Sequence, residues 1–272
     1  MTTASKASPF IREPESVYRA NASKFLTSHL LADFRRCPLL FKKKVDGLIV
    51  DEDRPAFLLG RAVHTRILEG ELKFHTEYVV GGPINEKTGK PYGSNTKAFQ
   101  DWADRIGKPV LTEEQSDLVT RLAKGFAQNA NAVSLVYDGI PEAVVRAEYA
   151  GLPCQSRIDF YSYDHGIVDL KTCEDLTWFE SDAKRYGYAY QMAFYRSMVR
   201  IATGKTMPVH FIAVEKKEPF RCGCWRISDQ LLDSCQSENE AAIERLKRYV
   251  ETDIRSEERR VGKEGRSRWL RY

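Results

Sequence analysis

The stretch Gly166-Ile-Val-Asp-Leu-Lys-Thr172 constrains the fold more than any other part of the chain. Ile167 and Val168 are β-branched and lie between the turn signal Asp164-His-Gly166 and the polar Thr172-Cys-Glu-Asp175, so residues 166–171 are predicted to form a short buried strand. Side chains alternate along a strand, which puts Asp169 and Lys171 on one face and Leu170 on the other. The Leu170 carbonyl then stays within reach of an ion held by its neighbours. A carboxylate and an ammonium at the end of an apolar strand cost free energy to bury unless their charge is offset, and a divalent cation would offset it. Asp159 supplies a second carboxylate at the end of another strand-like run, Cys154–Tyr161. If the two runs pair as a hairpin, Asp159 and Asp169 converge with Lys171 beside them. Two carboxylates, a carbonyl and water form the hard-oxygen shell that Mg²⁺ prefers. A Lys in that position can orient a water or stabilise charge developing on a phosphate.

A chain of 272 residues with 42% hydrophobic side chains can build one sizeable core. No apolar run reaches transmembrane length, and the amino-terminal Met-Thr-Thr-Ala-Ser-Lys lacks the apolar segment of a secretory signal, so a soluble cytoplasmic protein is expected. Six cysteines scattered through the chain fit reduced thiols better than a disulfide framework. The formal charge of +4 invites a nucleic-acid reading, but residues 255–272 alone carry seven Arg or Lys against three Glu. The first 254 residues are therefore formally neutral, and DNA binding has to rest on local clusters. The 255–272 segment resembles a translated sequencing adapter more than a native basic tail, and no function is assigned to it.

Along the chain, residues 1–27 show little periodicity and are expected to be flexible. A helix is predicted from Ser28 through Phe34, breaking near Cys37-Pro38, and the basic run Arg35, Arg36, Lys42, Lys43 and Lys44 interleaves with apolar residues either as a DNA-backbone patch or as a solvated face. Further helices are predicted over 56–70, 97–106 and 112–131, the last opening on the capping box Thr112-Glu-Glu-Gln115. Between them, Gly81–Ser94 reads as an exposed loop or flap. From Pro141 the pattern changes to three strands, 142–149, 154–161 and 167–171, in an antiparallel meander. Glu142 and Glu148 are an even number of residues apart, and one of them could join a metal site. A long helix over 182–203, a buried strand over 208–215, an edge strand over 221–227 and a closing helix over 229–251 complete an α+β domain spanning 28–254.

Asp159 followed by Asp169-Leu-Lys171 resembles the signature of the PD-(D/E)XK nuclease superfamily, with Ile158 in place of the usual Pro. Gly60-Arg-Ala-Val-His64 resembles the Gly-x-x-x-His helix, and Gln191-Met-Ala-Phe-Tyr195 the Gln-x-x-x-Tyr helix, of RecB-like members. Taken with Asp33-Phe-Arg-Arg-Cys-Pro38, the chain most resembles RecE-type (exonuclease VIII-like) phage recombination exonucleases. The resemblance implies a restriction-endonuclease-like core with an N-terminal helical elaboration. It implies metal ligation by His64, Asp159, Asp169 and the Leu170 carbonyl, with Lys171, Asp169, Asp159, Gln191 and Tyr195 at the reacting centre. It further implies a Mg²⁺-dependent exonuclease, with Mn²⁺ as a substitute, that degrades linear duplex DNA from 5′ ends. The product would be a 3′ single strand for an annealing partner, and the enzyme a ring-like trimer or tetramer. Cys37, Cys222, Cys224 and Cys235 are spaced unlike the late cysteine triplet of iron-sulfur relatives, so no cluster is expected.

Overall fold

The computed structural model describes residues 8–50 and 55–252; the first seven residues and the 255–272 segment lie outside it. Its elements run α1 (Glu15–Ala20), α2 (Ser28–Arg36), α3 (Pro38–Val45), α4 (Pro55–His64), a π-helical turn (Thr65–Glu69) and α5 (Glu71–Glu77). The short strands β1 (Val79–Val80), β2 (Ile84–Asn85) and β3 (Lys90–Pro91) follow, then α6 (Lys97–Ile106), β4 (Val110–Leu111), α7 (Glu113–Ala127) and α8 (Ala130–Leu135). The second half comprises β5 (Gly139–Tyr149), β6 (Leu152–Ser162), β7 (Gly166–Cys173), α9 (Phe179–Tyr186), α10 (Tyr188–Thr203), β8 (Val209–Glu215), β9 (Cys222–Arg226) and α11 (Asp229–Thr252).

Strands β5 to β9 form one sheet in sequence order, antiparallel except for the parallel β7–β8 pair. A parallel pair needs a long crossover, which α9 and α10 supply. Alternation along β7 and β8 divides the core between two faces. Ile167, Phe211 and Ala213 pack with Leu31, Met192, Phe194, Ile243 and Leu246 from α2, α10 and α11, while Val168, Leu170, Ile212 and Val214 pack with Ala62, Val63, Val119, Leu122 and Leu135 from α4, α7 and α8. The central strand is thus buried on both sides, as its near-continuous apolar run requires. Gly166 starts it at φ +79, and a Cβ there would come within 2.5 Å of the Pro208 carbonyl oxygen.

The meander, the crossover helix and the further strands are those expected from the sequence, with differences at several boundaries. Part of the segment expected to be flexible is ordered. Ile11 exchanges backbone hydrogen bonds with Val144 at 2.8 and 3.0 Å, and Leu26 donates to the Pro153 carbonyl at 2.9 Å and accepts from the Gln155 N–H at 3.0 Å, so residues 8–27 strap the β5–β6 pair. Pro38 does not simply end a helix; at the first position of α3 it starts the next, where its missing N–H is no loss. The 112–131 helix stops at Gln128, and Asn129 caps a new one through Ala132. The 182–203 helix begins earlier, at Phe179, and is interrupted by Gly187 in the left-handed conformation. Within the Gly81–Ser94 loop, β2 and β3 pair as a small hairpin.

Much of the basic run in α2 and α3 has structural work. Arg35 donates to Asn239 at 2.9 Å and lies 3.7 Å over the Tyr190 ring, and Lys44 pairs with Asp33 at 2.8 Å. Arg196 of α10 is buried and pairs with Asp229 and Asp233 of α11. Among the described residues no helix is long and apolar enough to cross a membrane.

Phe194, fully buried, meets the Tyr149 ring edge-on at 5.5 Å where α10 crosses β5. Phe194→Ala is expected to lower the unfolding free energy by about 3–5 kcal/mol, read as a fall in the urea midpoint with little change in the denaturant slope.

Candidate active site

Backbone pairing between β6 and β7 covers only Phe160–Ser162 against Gly166–Val168. Beyond it the strands part, and the Asp159 carboxylate accepts the Leu170 N–H at 2.9 Å in place of a ladder carbonyl. A free backbone donor in the sheet interior would be costly, so the Asp159 side chain is held by the same separation that opens the sheet. The opening places Asp159 beside Asp169 and Lys171.

Asp169 is only 1% exposed, and its Oδ2 lies 2.5 Å from Lys171 Nζ. Among the described residues Oδ1 has no hydrogen-bond partner, and Oδ2 has the Lys171 ammonium. Burial pushes its carboxyl up to about 7, with the Lys171 charge opposing that rise and Asp159 adding to it. Burial acts to lower the Lys171 amine, but the Asp169 and Asp159 carboxylates outweigh it and its pKa is raised. The ammonium also lies 5.0 Å from the centre of the Tyr188 ring.

His64 ends α4 with Nδ1 3.5 Å from Asp159 Oδ2, and its ring hydrogen-bonds the Leu170 backbone. Burial holds its pKa below the usual imidazole value, which favours the neutral ring that can act as a metal ligand. On α10, Gln191 Nε2 donates to the Tyr195 hydroxyl at 2.9 Å, as their spacing of four on a helix allows. Tyr195 is buried and stays protonated, because burial and then the nearby Tyr18 raise its pKa, with Asp159 and Asp169 among the further contributors. The structure therefore brings together His64, Asp159, Asp169, the Leu170 backbone, Lys171, Gln191 and Tyr195.

Two further groups border this centre. Glu142 sits across from Asp159 in the ladder, between the pairs Pro141–Phe160 and Ala143–Ile158. Its backbone is at φ +52, unusual for a residue with a Cβ, and its carboxylate pairs with Arg157 Nε at 3.0 Å. Burial pushes the Glu142 carboxyl up to about 8, and the Asp159 charge adds to the shift. Glu148 lies exposed near the far end of the strand. Even spacing alone did not separate the two, because it carries no information about which end of the strand meets the site. His29, from α2, is the second group: desolvation and then the Lys171 ammonium hold its pKa down. No periodicity or motif in the sequence marks it.

Among the described residues, no three His, Cys, Asp or Glu side chains are drawn together as a finished metal cage. The donor set nevertheless suits a hard divalent cation. Asp169 offers a buried Oδ1 without a hydrogen-bond partner and an Oδ2 held by Lys171, Asp159 a second carboxylate, and Leu170 a carbonyl at the parted strands. Lys171 meanwhile supplies the positive charge beside Asp169.

Over residues 27–260 the chain matches the family described as a PDDEXK-like domain of unknown function (DUF3799). Comparison with curated proteins returns no match. Among solved structures, a "Putative exonuclease" from Eubacterium rectale aligns with a TM-score of 0.66 at 17% identity, covering 90% of this chain and 88% of that one. That similarity is one of fold. LHK-Exo in complex with dAMP aligns with a TM-score of 0.35 at 15% identity over 90% of this chain and 99% of that one. The alkaline exonuclease LHK-Exo from Laribacter hongkongensis gives 0.24 at 17% identity over 60% and 90%. Both are too distant to inform the fold further. With most of its length matched and the strand pair carrying Asp159 and Asp169-Leu-Lys171 at its centre, the chain belongs to the DUF3799 family of PDDEXK-like domains.

Proposed function

We propose that the protein is a divalent-metal-dependent exodeoxyribonuclease that acts from the ends of linear duplex DNA in the 5′-to-3′ direction. The reading rests on one observation above the others: Asp159, Asp169 and Lys171 meet where β6 and β7 separate, with acceptor oxygens to spare. The exonuclease description of the Eubacterium rectale fold relative points the same way. The polarity, the 3′ single-strand product, an annealing partner and a ring-like oligomer follow from the likeness of the motifs to RecE-type enzymes.

Hydrolysis of a phosphodiester places negative charge on the non-bridging, attacking and leaving oxygens. A divalent cation held by Asp159, Asp169, the Leu170 carbonyl and His64 would neutralise that charge and lower the pKa of water; Mg²⁺ suits the oxygen donors, and the imidazole makes Mn²⁺ acceptable too. The chain supplies the rest. Lys171 keeps its proton at neutral pH, so it acts as a donor that orients the attacking water and faces a non-bridging oxygen. Tyr195 accepts from Gln191 and retains its own O–H for a phosphate oxygen or a carboxylate. His64, neutral and turned toward Asp159, fixes the carboxylate that also takes the Leu170 N–H.

A time course on linear duplex labelled at either 5′ or 3′ ends, beside a closed circular plasmid, tests this reading. Mononucleotide release from the 5′ label with Mg²⁺, none with chelator and an intact plasmid is the expected result. Early release from the 3′ label would favour a RecB-like nuclease of other polarity, and discrete plasmid fragments would favour a restriction-type endonuclease. Asp169→Ala or Lys171→Ala is expected to cut the rate by at least about 10²-fold with folding intact, since each removes charge stabilisation at the reacting phosphate.

The raised carboxyl groups make a second prediction. Free carboxyls titrate near 4, whereas Asp169 titrates near 7 and Glu142 near 8 in the folded chain, so between those values the folded state holds more protons than the unfolded one. Stability of the metal-free protein is therefore expected to fall as pH rises from about 4 to about 8 on account of these groups. Mg²⁺ competes with those protons and should raise the melting temperature more at pH 8 than at pH 5.5. Asp169→Asn should flatten both trends, as measured by thermal melts in chelator and in Mg²⁺.

A further inference from the structure

The active-site ammonium does not end in the carboxylates. On its other side Lys171 Nζ lies 5.0 Å from the centre of the Tyr188 ring, and Tyr188 stacks on Tyr186 with centroids 5.7 Å apart and planes 28° from parallel. Tyr186 is 59% exposed. Arg185 lies 4.6 Å from the Tyr186 ring centre and donates to its hydroxyl at 2.6 Å. The two rings are held in this relation by Gly187. Its φ of +71 ends α9 at Tyr186 and lets α10 start at Tyr188, so the tyrosines leave the chain on either side of one sharp bend.

A single exposed tyrosine on a protein surface needs no explanation. What sets Tyr186 apart is that a continuous stack joins it to the group assigned to the scissile phosphate. The Arg185 guanidinium lies over the Tyr186 ring, and because that side chain is itself 66% exposed and pairs with Asp182 on the surface, it can swing aside to a phosphate and leave the ring to a base. An enzyme that cuts at a DNA end must draw the terminal nucleotides out of the duplex, and the unpaired base then needs a new stacking partner. Aromatic rings serve any of the four bases equally, as a nuclease without sequence preference requires. The rings begin beside Lys171 and the exposed one lies two short steps of 5.0 and 5.7 Å away, so the base it receives lies within about three nucleotides of the cut, given a spacing of about 3.4 Å per nucleotide along a strand.

Building on the exonuclease reading above, we infer that Tyr186 and Tyr188 form a stacking platform for an unpaired nucleobase of the DNA strand next to the scissile phosphate, with Arg185 contacting the neighbouring backbone. The platform selects single-stranded or frayed DNA over intact duplex, without reading sequence. Tyr186 is a binding residue in this scheme, and Tyr188 a positioning residue for Lys171.

The test is a thermodynamic cycle on the full chain. Binding of fluorescent eight-nucleotide oligodeoxynucleotides is measured by anisotropy with Ca²⁺ in place of Mg²⁺, using a set in which a single abasic position is walked along the strand. For the unaltered protein, one or two adjacent abasic positions are expected to weaken binding by about 5- to 150-fold, the range for loss of one stacked base. Tyr186→Ala should weaken binding to the intact oligonucleotide by a similar factor and bind the abasic one no worse than the unaltered protein does. Tyr186→Phe should restore the preference. Arg185→Ala should weaken intact and abasic strands alike and reduce the salt dependence. If Tyr186→Ala lowers affinity equally for intact and abasic strands, or not at all, the platform is refuted while the nuclease reading stands. If the unaltered protein binds neither single-stranded nor duplex DNA, both fall together.

Discussion

The Leu170 N–H accepted by Asp159 is the contact on which the rest of the site depends. In an unbroken antiparallel ladder that donor would face a β6 carbonyl, and the two strands would lie too close for anything to enter between their side chains. Substituting a side-chain oxygen for a backbone one keeps the buried donor satisfied while the strands separate. The same bond holds a carboxylate at the opening. Asp169, one position before Leu170, is then carried to the opening by the strand's period of two, and Lys171 with it.

An ion pair in that setting is poor cement. Asp169 is almost wholly buried, with no hydrogen-bond partner for Oδ1 among the described residues, and such pairs are often worth less than the apolar residues that could replace them. The surroundings carry the cost instead. Val168 and Leu170 anchor β7 to α4 and α7 on one side, while Ile167 anchors it to α10 on the other, so the charged residues sit on a strand that has little freedom to move. Glu142 extends the same pattern to β5. A non-glycine residue at φ +52 is held there only because neighbouring structure over-determines it, and here Arg157 ties its carboxylate while Glu15 of α1 approaches the same guanidinium at 3.5 Å. The N-terminal strap thus reaches the edge of the site, which gives residues 8–27 a physical reason to be ordered.

The sequence made the centre of the fold legible and its periphery much less so. The β-branched run with Asp169 and Lys171 on one face, the meander around it and the Gln191–Tyr195 helix face all depend on local periodicity, and local periodicity survives in the structure. The strap is different: Ile11 and Leu26 form isolated bridges to β5 and β6, and such edge contacts are set by tertiary proximity with no period to betray them. Pro38 was ambiguous because proline both ends one helix and suits the first turn of another. Gly187 interrupts a pattern of apolar and aromatic residues that continues in register on both sides, so hydrophobic spacing alone runs straight through it. Glu142 shares its parity with Glu148, and only the ladder register against Asp159 distinguishes them.

The charge balance of the opening bears on what can approach it. Lys171 pairs with Asp169 and Arg157 with Glu142, while His64 and His29 are held toward neutrality, so among the described residues the three acidic groups outnumber the cations by the charge of Asp159. A phosphodiester entering that field unaided would meet repulsion in a region shielded from water, where charges act strongly. A divalent cation reverses the sign locally, and its charge would exceed that of any one side chain present. Lys171 already shows the same electrostatic demand on a smaller scale, drawn onto Asp169, for which it is the charged partner among the described residues. The site is therefore arranged so that substrate and cation favour one another's arrival: each offsets charge that the other would otherwise leave exposed in a poorly solvated opening.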